Sequence, residues 1–265
     1  MTTVLVVEGN SPDLVARAVA RGDTGLAEHY GSALLQIDPD LTIRTFNPYG
    51  EDTLDLAGVD AVVFTGSGVD WLADDPKGAV QVGTMEAAFA AGLPVFGSCN
   101  GMQLGAVVLG GAIAASPNGT EDGMARRVMM TEAGMTHPML QGRRDGYAVP
   151  CVHRDEVTRL PDDAVLLAGN AHSPVQAFAV TRGNIDFWGV QYHPEYTPAF
   201  VAGGLARYRP GSEALQADLL AIDVDATAAA RLDTTAEEQA DAVRMTELRN
   251  WLAHVAARRM AKTAA

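Results

Sequence analysis

The chain has 265 residues, 48% of them hydrophobic and 20% charged, enough to bury a substantial core in one α/β domain with an extension. Asp and Glu outnumber Lys and Arg by 33 to 19, a net charge of −14, which excludes nucleic acid and anionic membranes as expected partners because both require a cationic surface. No apolar run approaches the roughly 20 residues of a bilayer-spanning helix, and the two cysteines, Cys99 and Cys151, are expected as reduced thiols in a cytoplasmic protein.

The first residues, MTTVLVVE, carry no basic segment and read as a strand (4–7) rather than a secretion signal. A helix is predicted over 25–37, strands over 41–46 and 61–64, a helix over 81–91 rich in Ala, Met and Glu, and a strand over 93–96. This alternation predicts an α/β fold with a mostly parallel central sheet flanked by helices. The strand at 93–96 runs straight into Gly97-Ser98-Cys99-Asn100-Gly101-Met102-Gln103 and a helical stretch that Gly110-Gly111 stops. Strands follow over 126–130, 147–153, 165–168, 175–180 and 186–190, a β-rich flap joined to the same sheet. The last leads into Gly189-Val190-Gln191-Tyr192-His193-Pro194-Glu195.

Beyond Glu195 the composition turns Ala-rich and helical. A helix over 235–261 would place Met245, Leu248, Leu252 and Val255 on one stripe that Trp251 broadens. Its first reading is a cap on the α/β core; the alternative is a surface for a homodimer or a docking partner. The expected division is a core of residues 1–205 and a helical extension, 206–265, packed on it.

Cys99 stands between two glycines on a sharp strand-to-helix turn. Such a turn needs small neighbours, lifts the sulfur above the sheet, and sets it at a helix N-terminus whose dipole favours a thiolate. The alternative for a lone cysteine is a small buried hydrophobe; the glycine frame argues for a nucleophile. His193 and Glu195, two residues apart at a strand end, supply a base and the carboxylate that orients it. A structural turn is the competing reading of that short string. His137 and His172 lie near prolines and read as loop residues, while His29 and His254 fall on helices without an assigned role.

Gly-x-Cys-x-Gly-x-Gln after a strand, followed by His193-Pro194-Glu195, resembles the class I (triad) glutamine amidotransferases, notably stand-alone proteins similar to the amidotransferase domain of GMP synthase. The similarity extends over roughly residues 3–200 and includes Val152-His153-Arg154-Asp155-Glu156-Val157, which resembles that family's Ser-His-x-Asp-x-Val segment. It implies that the α/β fold is flavodoxin-like, and that Cys99 attacks the γ-amide of glutamine, or of a γ-glutamyl relative, to form a thioester. His193 would be base and then acid, and Glu195 would orient it. The N–H of Asn100 and that of Gly68, in the glycine-rich loop Gly66-Ser67-Gly68, would bind the oxyanion. The family's proline is missing from that loop. Gly66, Ser67, Gln103, His153 and Asp155 would meet the substrate, with Val152 where the family carries serine.

Gly66-Ser67-Gly68-Val69-Asp70 also resembles the phosphate loop of ATP pyrophosphatases, but it lacks the second glycine and has Trp71 for the final serine. No P-loop, metal-spaced His/Cys cluster or dinucleotide fingerprint is found, so no cofactor or metal is expected. No synthetase module is legible either. Ammonia would pass to a separate synthetase partner or to solvent, and the loop at 69–77 with Asn100 would set the leaving-group preference. A hydrolase of larger γ-glutamyl conjugates and a catalytically silent regulatory subunit are the alternatives.

Overall fold

The computed structural model describes residues 1–264, with side chains through 261, so Ala265 of the predicted extension lies outside the described residues. The elements run β1 (Thr3–Val7), α1 (Pro12–Val19), α2 (Leu26–Ile37), β2 (Thr42–Phe46), β3 (Ala61–Phe64), α3 (Ala79–Ala90), β4 (Val95–Ser98), α4 (Asn100–Val108), β5 (Ala112–Ala115) and β6 (Glu121–Met130). They continue α5 (Glu132–Thr136), β7 (Tyr147–His153), β8 (Asp155–Arg159), β9 (Val165–Gly169), β10 (Ala177–Arg182) and β11 (Ile185–Val190). The chain closes with α6 (Pro198–Tyr208), α7 (Glu213–Ala221), α8 (Ala226–Arg231), α9 (Ala236–Gln239), α10 (Asp241–Arg244) and α11 (Thr246–Ala264).

Nine strands form one sheet in the order β2-β1-β3-β4-β11-β10-β9-β6-β7. From β2 to β11 the neighbours are parallel. From β11 outward they are antiparallel, which is how the predicted β-rich flap joins the sheet. In the parallel part β3 and β4 are buried along their whole length, as strands covered on both faces must be. Val4, Val6, Ala61 and Val63 point into one layer with Tyr30 and Leu34 of α2 and Leu248 and Trp251 of α11. Leu5, Val7, Val62 and Phe64 point into the other with Met85 and Phe89 of α3 and Met102 of α4. The period of two splits each strand between two helical layers.

The departures from the sequence reading have local causes. The strand expected at 93–96 is Val95–Ser98, because Gly92, at φ 65°, still belongs to the turn after α3. α1 was not among the predicted helices; its apolar face, Leu14, Val15 and Ala18, is only half-buried. β5 pairs with β8 in a separate two-stranded sheet; its Ala-rich strand and the charged Asp155–Arg159 lack β-type composition. The long helix predicted at 235–261 is three helices, broken where Ala240 turns extended (ψ 142°) and at Met245. Met245, Leu248, Trp251 and Val255 are nonetheless buried in the layer beneath the parallel strands, and the Trp251 ring stands 5.7 Å from that of Phe96. Among the described residues no helix is long and apolar enough to cross a membrane.

Candidate active site

Four loops meet at the carboxyl ends of adjacent parallel strands: Glu8-Gly9-Asn10 after β1, residues 65–68 after β3, Cys99 after β4 and residues 191–195 after β11. A crevice at strand carboxyl ends is the usual ligand position in open α/β sheets.

Cys99 sits between β4 and α4 with φ 51° and ψ −108°, a conformation that L-residues rarely hold and that marks strain at a functional turn. Its flanking glycines are sterically required. A Cβ on Gly97 would lie 2.5 Å from the Gly101 carbonyl carbon, and one on Gly101 would lie 2.3 Å from the Phe64 carbonyl oxygen. The strain is fixed by main-chain bonds, with Cys99 N–H donating to Val190 O at 2.8 Å and Gln103 N–H to Cys99 O at 3.0 Å. The sulfur lies 3.8 Å from Val152 O.

His193 faces Cys99 across Gly66. A Cβ on Gly66 would be 3.4 Å from His193 Nε2 and 3.6 Å from Cys99 Cβ. Behind the ring, His193 Nδ1 bonds Glu195 Oε1 at 2.7 Å, and Ser98 Oγ donates to Glu195 Oε2 at 3.4 Å. Tyr30 OH lies 3.0 Å from Ser98 Oγ. The pair sits on a turn after β11 rather than on the strand itself, closed by Tyr196 N–H donating to His193 O at 3.1 Å. Tyr196 stacks on the His193 ring with centroids 4.1 Å apart and planes 11° apart. Burial works against a charged imidazole, but the Glu195 carboxylate and the hydrogen bonds to Cys99 and Glu195 push its pKa up to about 10. Cys151 contrasts with this arrangement: burial first, then the Glu121 carboxylate, push its thiol well up. A thiol held protonated is a poor nucleophile.

The other predicted residues divide into two groups. Gln103 donates from Nε2 to Asp155 O at 2.7 Å and to Gln191 Oε1 at 3.2 Å, tying α4 to β8 and to the segment after β11. His153 is held between two acceptors, Asp155 O at 3.0 Å and Glu121 Oε2 at 2.8 Å, and the Asp155 carboxylate is engaged by Arg154. The side chains of Gln103, His153 and Asp155 thus have protein partners already, and the Asp155 carbonyl and the Gln103 N–H are engaged as well. Glu121, Cys151 and His153 lie within metal-ligand distance of one another. Asn170 and Gln176 also donate to Glu121, at 2.6 and 2.7 Å. Burial tends to raise this carboxyl, and the bonds from His153, Asn170 and Gln176 outweigh it and hold it below its ordinary value. A carboxylate already ringed by N–H donors is a structural anion, and its surroundings suit no cation.

The second group is the loop after β3. Ser67 Oγ donates to Gly9 O at 2.7 Å, and Gly68 N–H donates to Asn10 Oδ1 at 2.7 Å. The N–H assigned from sequence to the oxyanion is therefore taken. Those of Gly66 and Ser67, nearer to Cys99 in the chain's path, find no acceptor among the described residues, nor does that of Asn100 at the first turn of α4. Sequence reasoning missed Asn10 and Glu8. The Glu8 carboxylate accepts from Asn10 N–H at 2.9 Å and from Ala27 N–H at the start of α2 at 2.8 Å. Burial raises its pKa against those bonds. The polar run Glu8-Gly9-Asn10 directly after an apolar strand was the available signal. Of the remaining histidines, His137 caps a short turn through Met139 N–H, His254 pairs with Asp186 at 2.7 Å, and His29 packs 4.3 Å from Phe200 and 5.5 Å from Tyr196.

The family model for glutamine amidotransferase class-I matches residues 32–200. A γ-glutamyl-L-1-hydroxyisopropylamide hydrolase from a Pseudomonas species is 40% identical over 156 residues, covering 58% of this chain and 52% of the relative. A GMP synthase (glutamine-hydrolyzing) from Aeromonas hydrophila is 35% identical over 137 residues, covering 48% of this chain and 25% of the relative. The chain thus spans about half the length of the first and a quarter of the second. Among solved structures, a glutamine amidotransferase from Thermotoga maritima superposes with a TM-score of 0.65 at 21% identity, covering 96% of this chain and 97% of that one. The chain belongs to the class-I glutamine amidotransferase family.

Proposed function

We propose that this protein hydrolyses the γ-amide of glutamine or of a γ-glutamyl amine through a γ-glutamyl thioester on Cys99. One observation carries the reading: Cys99 is strained at the head of α4 while the buried His193–Glu195 pair faces it across Gly66. Cys99 Sγ, its proton already resting on His193, attacks the amide carbon, and the C–N bond breaks as His193 passes that proton to the departing nitrogen. Water then attacks the thioester with His193 taking its proton, the C–S bond breaks, and glutamate leaves with the thiol restored. Glu195 holds the imidazole in one tautomer and stabilises its charged form. The oxyanion is received by the N–H of Asn100 together with an N–H from Gly66-Ser67, in place of Gly68, whose N–H is bound to Asn10. Gln103, His153 and Asp155 form the wall on the α-amino and α-carboxylate side of the substrate, with Gln103 and His153 both bonded to the Asp155 carbonyl.

The second reading is a larger leaving group than ammonia. The Pseudomonas relative is named for an amide of an organic amine, while the GMP synthase relative is named for glutamine hydrolysis. Transfer of ammonia to a separate synthetase belongs to the glutamine case.

The test is to incubate the pure protein with glutamine and with γ-glutamyl amines, following glutamate and the released amine, and to seek a thioester on Cys99 by mass spectrometry. Turnover that disappears in Cys99→Ala supports the assignment. Turnover that survives in that variant ends it, and a wild type that cleaves none of these substrates favours a silent subunit.

A further inference from the structure

The turn carrying His193 and Glu195 is held from outside the matched family segment. Tyr192 OH donates to Glu247 Oε1 at 2.9 Å, and the carbonyl of Pro194, the residue between His193 and Glu195, accepts from Arg244 Nη1. Both tail residues are fully buried, Arg244 1% exposed and Glu247 0%. Glu247 is gripped by Arg143, Nε to Oε1 at 2.8 Å and Nη2 to Oε2 at 2.6 Å. That same Arg143 Nη2 reaches Arg244 O at 2.6 Å, while Arg244 Nη2 meets Asp241 Oδ1 at 2.5 Å. Tyr147 OH completes the set, 2.6 Å from Tyr192 OH.

We infer that Arg244 and Glu247 are positioning residues for His193, clamping residues 192–194 in the geometry that the proposed reaction needs. This rests on the hydrolase reading of Cys99 and His193. The physical argument concerns what can hold such a turn. Pro194 has no N–H, so its carbonyl is the only main-chain hydrogen-bonding group at that residue, and Arg244 takes it. The His193 N–H donates to Pro150 O at 2.8 Å, and Tyr192 is fixed through its hydroxyl. Residues 192, 193 and 194 thus each have at least one directional anchor, and two of these anchors, Glu247 at 192 and Arg244 at 194, lie beyond the family match, which ends at 200. Apolar packing would bury this turn without fixing its orientation. Charged, bidentate bonds in a dry interior set direction, because neither partner can shift without leaving a buried charge unpaired. His193 itself is faced by Glu195, Cys99 and Tyr196, with His29 close enough to feel its charge.

The experiment uses the full chain and the variants Arg244→Met, Arg244→Lys and Tyr192→Phe. Arg258→Met serves as the control, since it releases the far end of α11 from Asp186. Three quantities are read: kcat and KM on the substrate turned over best, the pH profile of Cys99 alkylation by iodoacetamide, and the melting temperature. Arg244→Met is expected to lower kcat roughly 10- to 100-fold with KM changed less than about 3-fold, as a sub-ångström misplacement of a catalytic group does. Its alkylation profile should move to higher pH, because a loosened Glu195 no longer supports the imidazolium. Arg244→Lys should recover part of both, and Arg258→Met should lower the melting temperature and leave both unchanged. Should the Arg244→Met profile and kcat track those of Arg258→Met at equal loss of melting temperature, the inference is overturned. If Arg244→Met does not fold, unchanged profiles in Arg244→Lys and Tyr192→Phe overturn it equally. A wild type that turns over nothing defeats the hydrolase reading, while the alkylation arm, which needs no substrate, still decides this one.

Discussion

Gly66 and His193 are so close that a single methyl group on the first would strike the second, 2.6 Å from its Cε1. The glycine thus leaves the imidazole the room it takes up beside Cys99, as well as being a turn residue. Gly66→Ala is expected to push the ring off its line to the sulfur and lower kcat by at least about 100-fold, with little change in far-ultraviolet circular dichroism. Wild-type kinetics in that variant would show that the ring has room to move without penalty.

The His193–Glu195 pair gives stability a pH signature. The folded-state pKa of His193 is raised, from 6.5 to about 10. The stabilisation is therefore fully present below the unfolded value and lost as pH climbs through the folded one. Denaturant unfolding of the wild type should show this contribution falling between pH 6.5 and 10. In Glu195→Gln the carboxylate that raises the imidazole is gone, and the slope across that window should flatten while kcat falls. Equal slopes in the two proteins would show that the pair does not carry the effect.

Asn10 holds the loop after β3 through its bond to Gly68 N–H. Asn10→Ala removes the bond from Gly68 N–H and a longer one from Ser67 Oγ at 3.5 Å, a net of about 1 kcal/mol, and should lower kcat about 5-fold by loosening the segment that presents the Gly66 and Ser67 N–H groups. Cys99 alkylation should be unchanged, because Asn10 does not touch His193. A shift in alkylation would assign Asn10 to the nucleophile instead.

Trp251 is fully buried against the layer containing Phe96, three residues before Cys99. Trp251→Ala should cost about 3–5 kcal/mol of unfolding free energy, read as a lowered urea midpoint. A loss below about 1 kcal/mol would mean that the tail helix contributes little to the core beneath the nucleophile.

What could be read along the chain was whatever sequence neighbours enforce on one another. The strands at β1, β3, β7 and β11 follow from runs of apolar and β-branched residues, and β3 and β7 coincide with their predicted limits. The turn at Cys99 is legible because Gly97 and Gly101 stand within two residues of it and the clash each avoids is local. His193 and Glu195 could be proposed together for the same reason, since their spacing alone puts one within reach of the other. The amphipathic stripe of the tail was visible as a pattern, though not the breaks at Ala240 and Met245 that divide it.

Contacts between distant residues had no such signature. Nothing near Gly68 announces that Asn10, 58 residues earlier, occupies its N–H. Nor does His153 declare that Glu121 holds its ring, or Pro194 that Arg244 lies 50 residues ahead. Sequence alone determined which residues are candidates for the chemistry, because strain, periodicity and short-range spacing are properties of neighbouring residues. Only the tertiary structure decided which N–H groups stay free and what braces the histidine, because satisfying a buried polar group depends on whichever segment the sheet and its helices bring alongside.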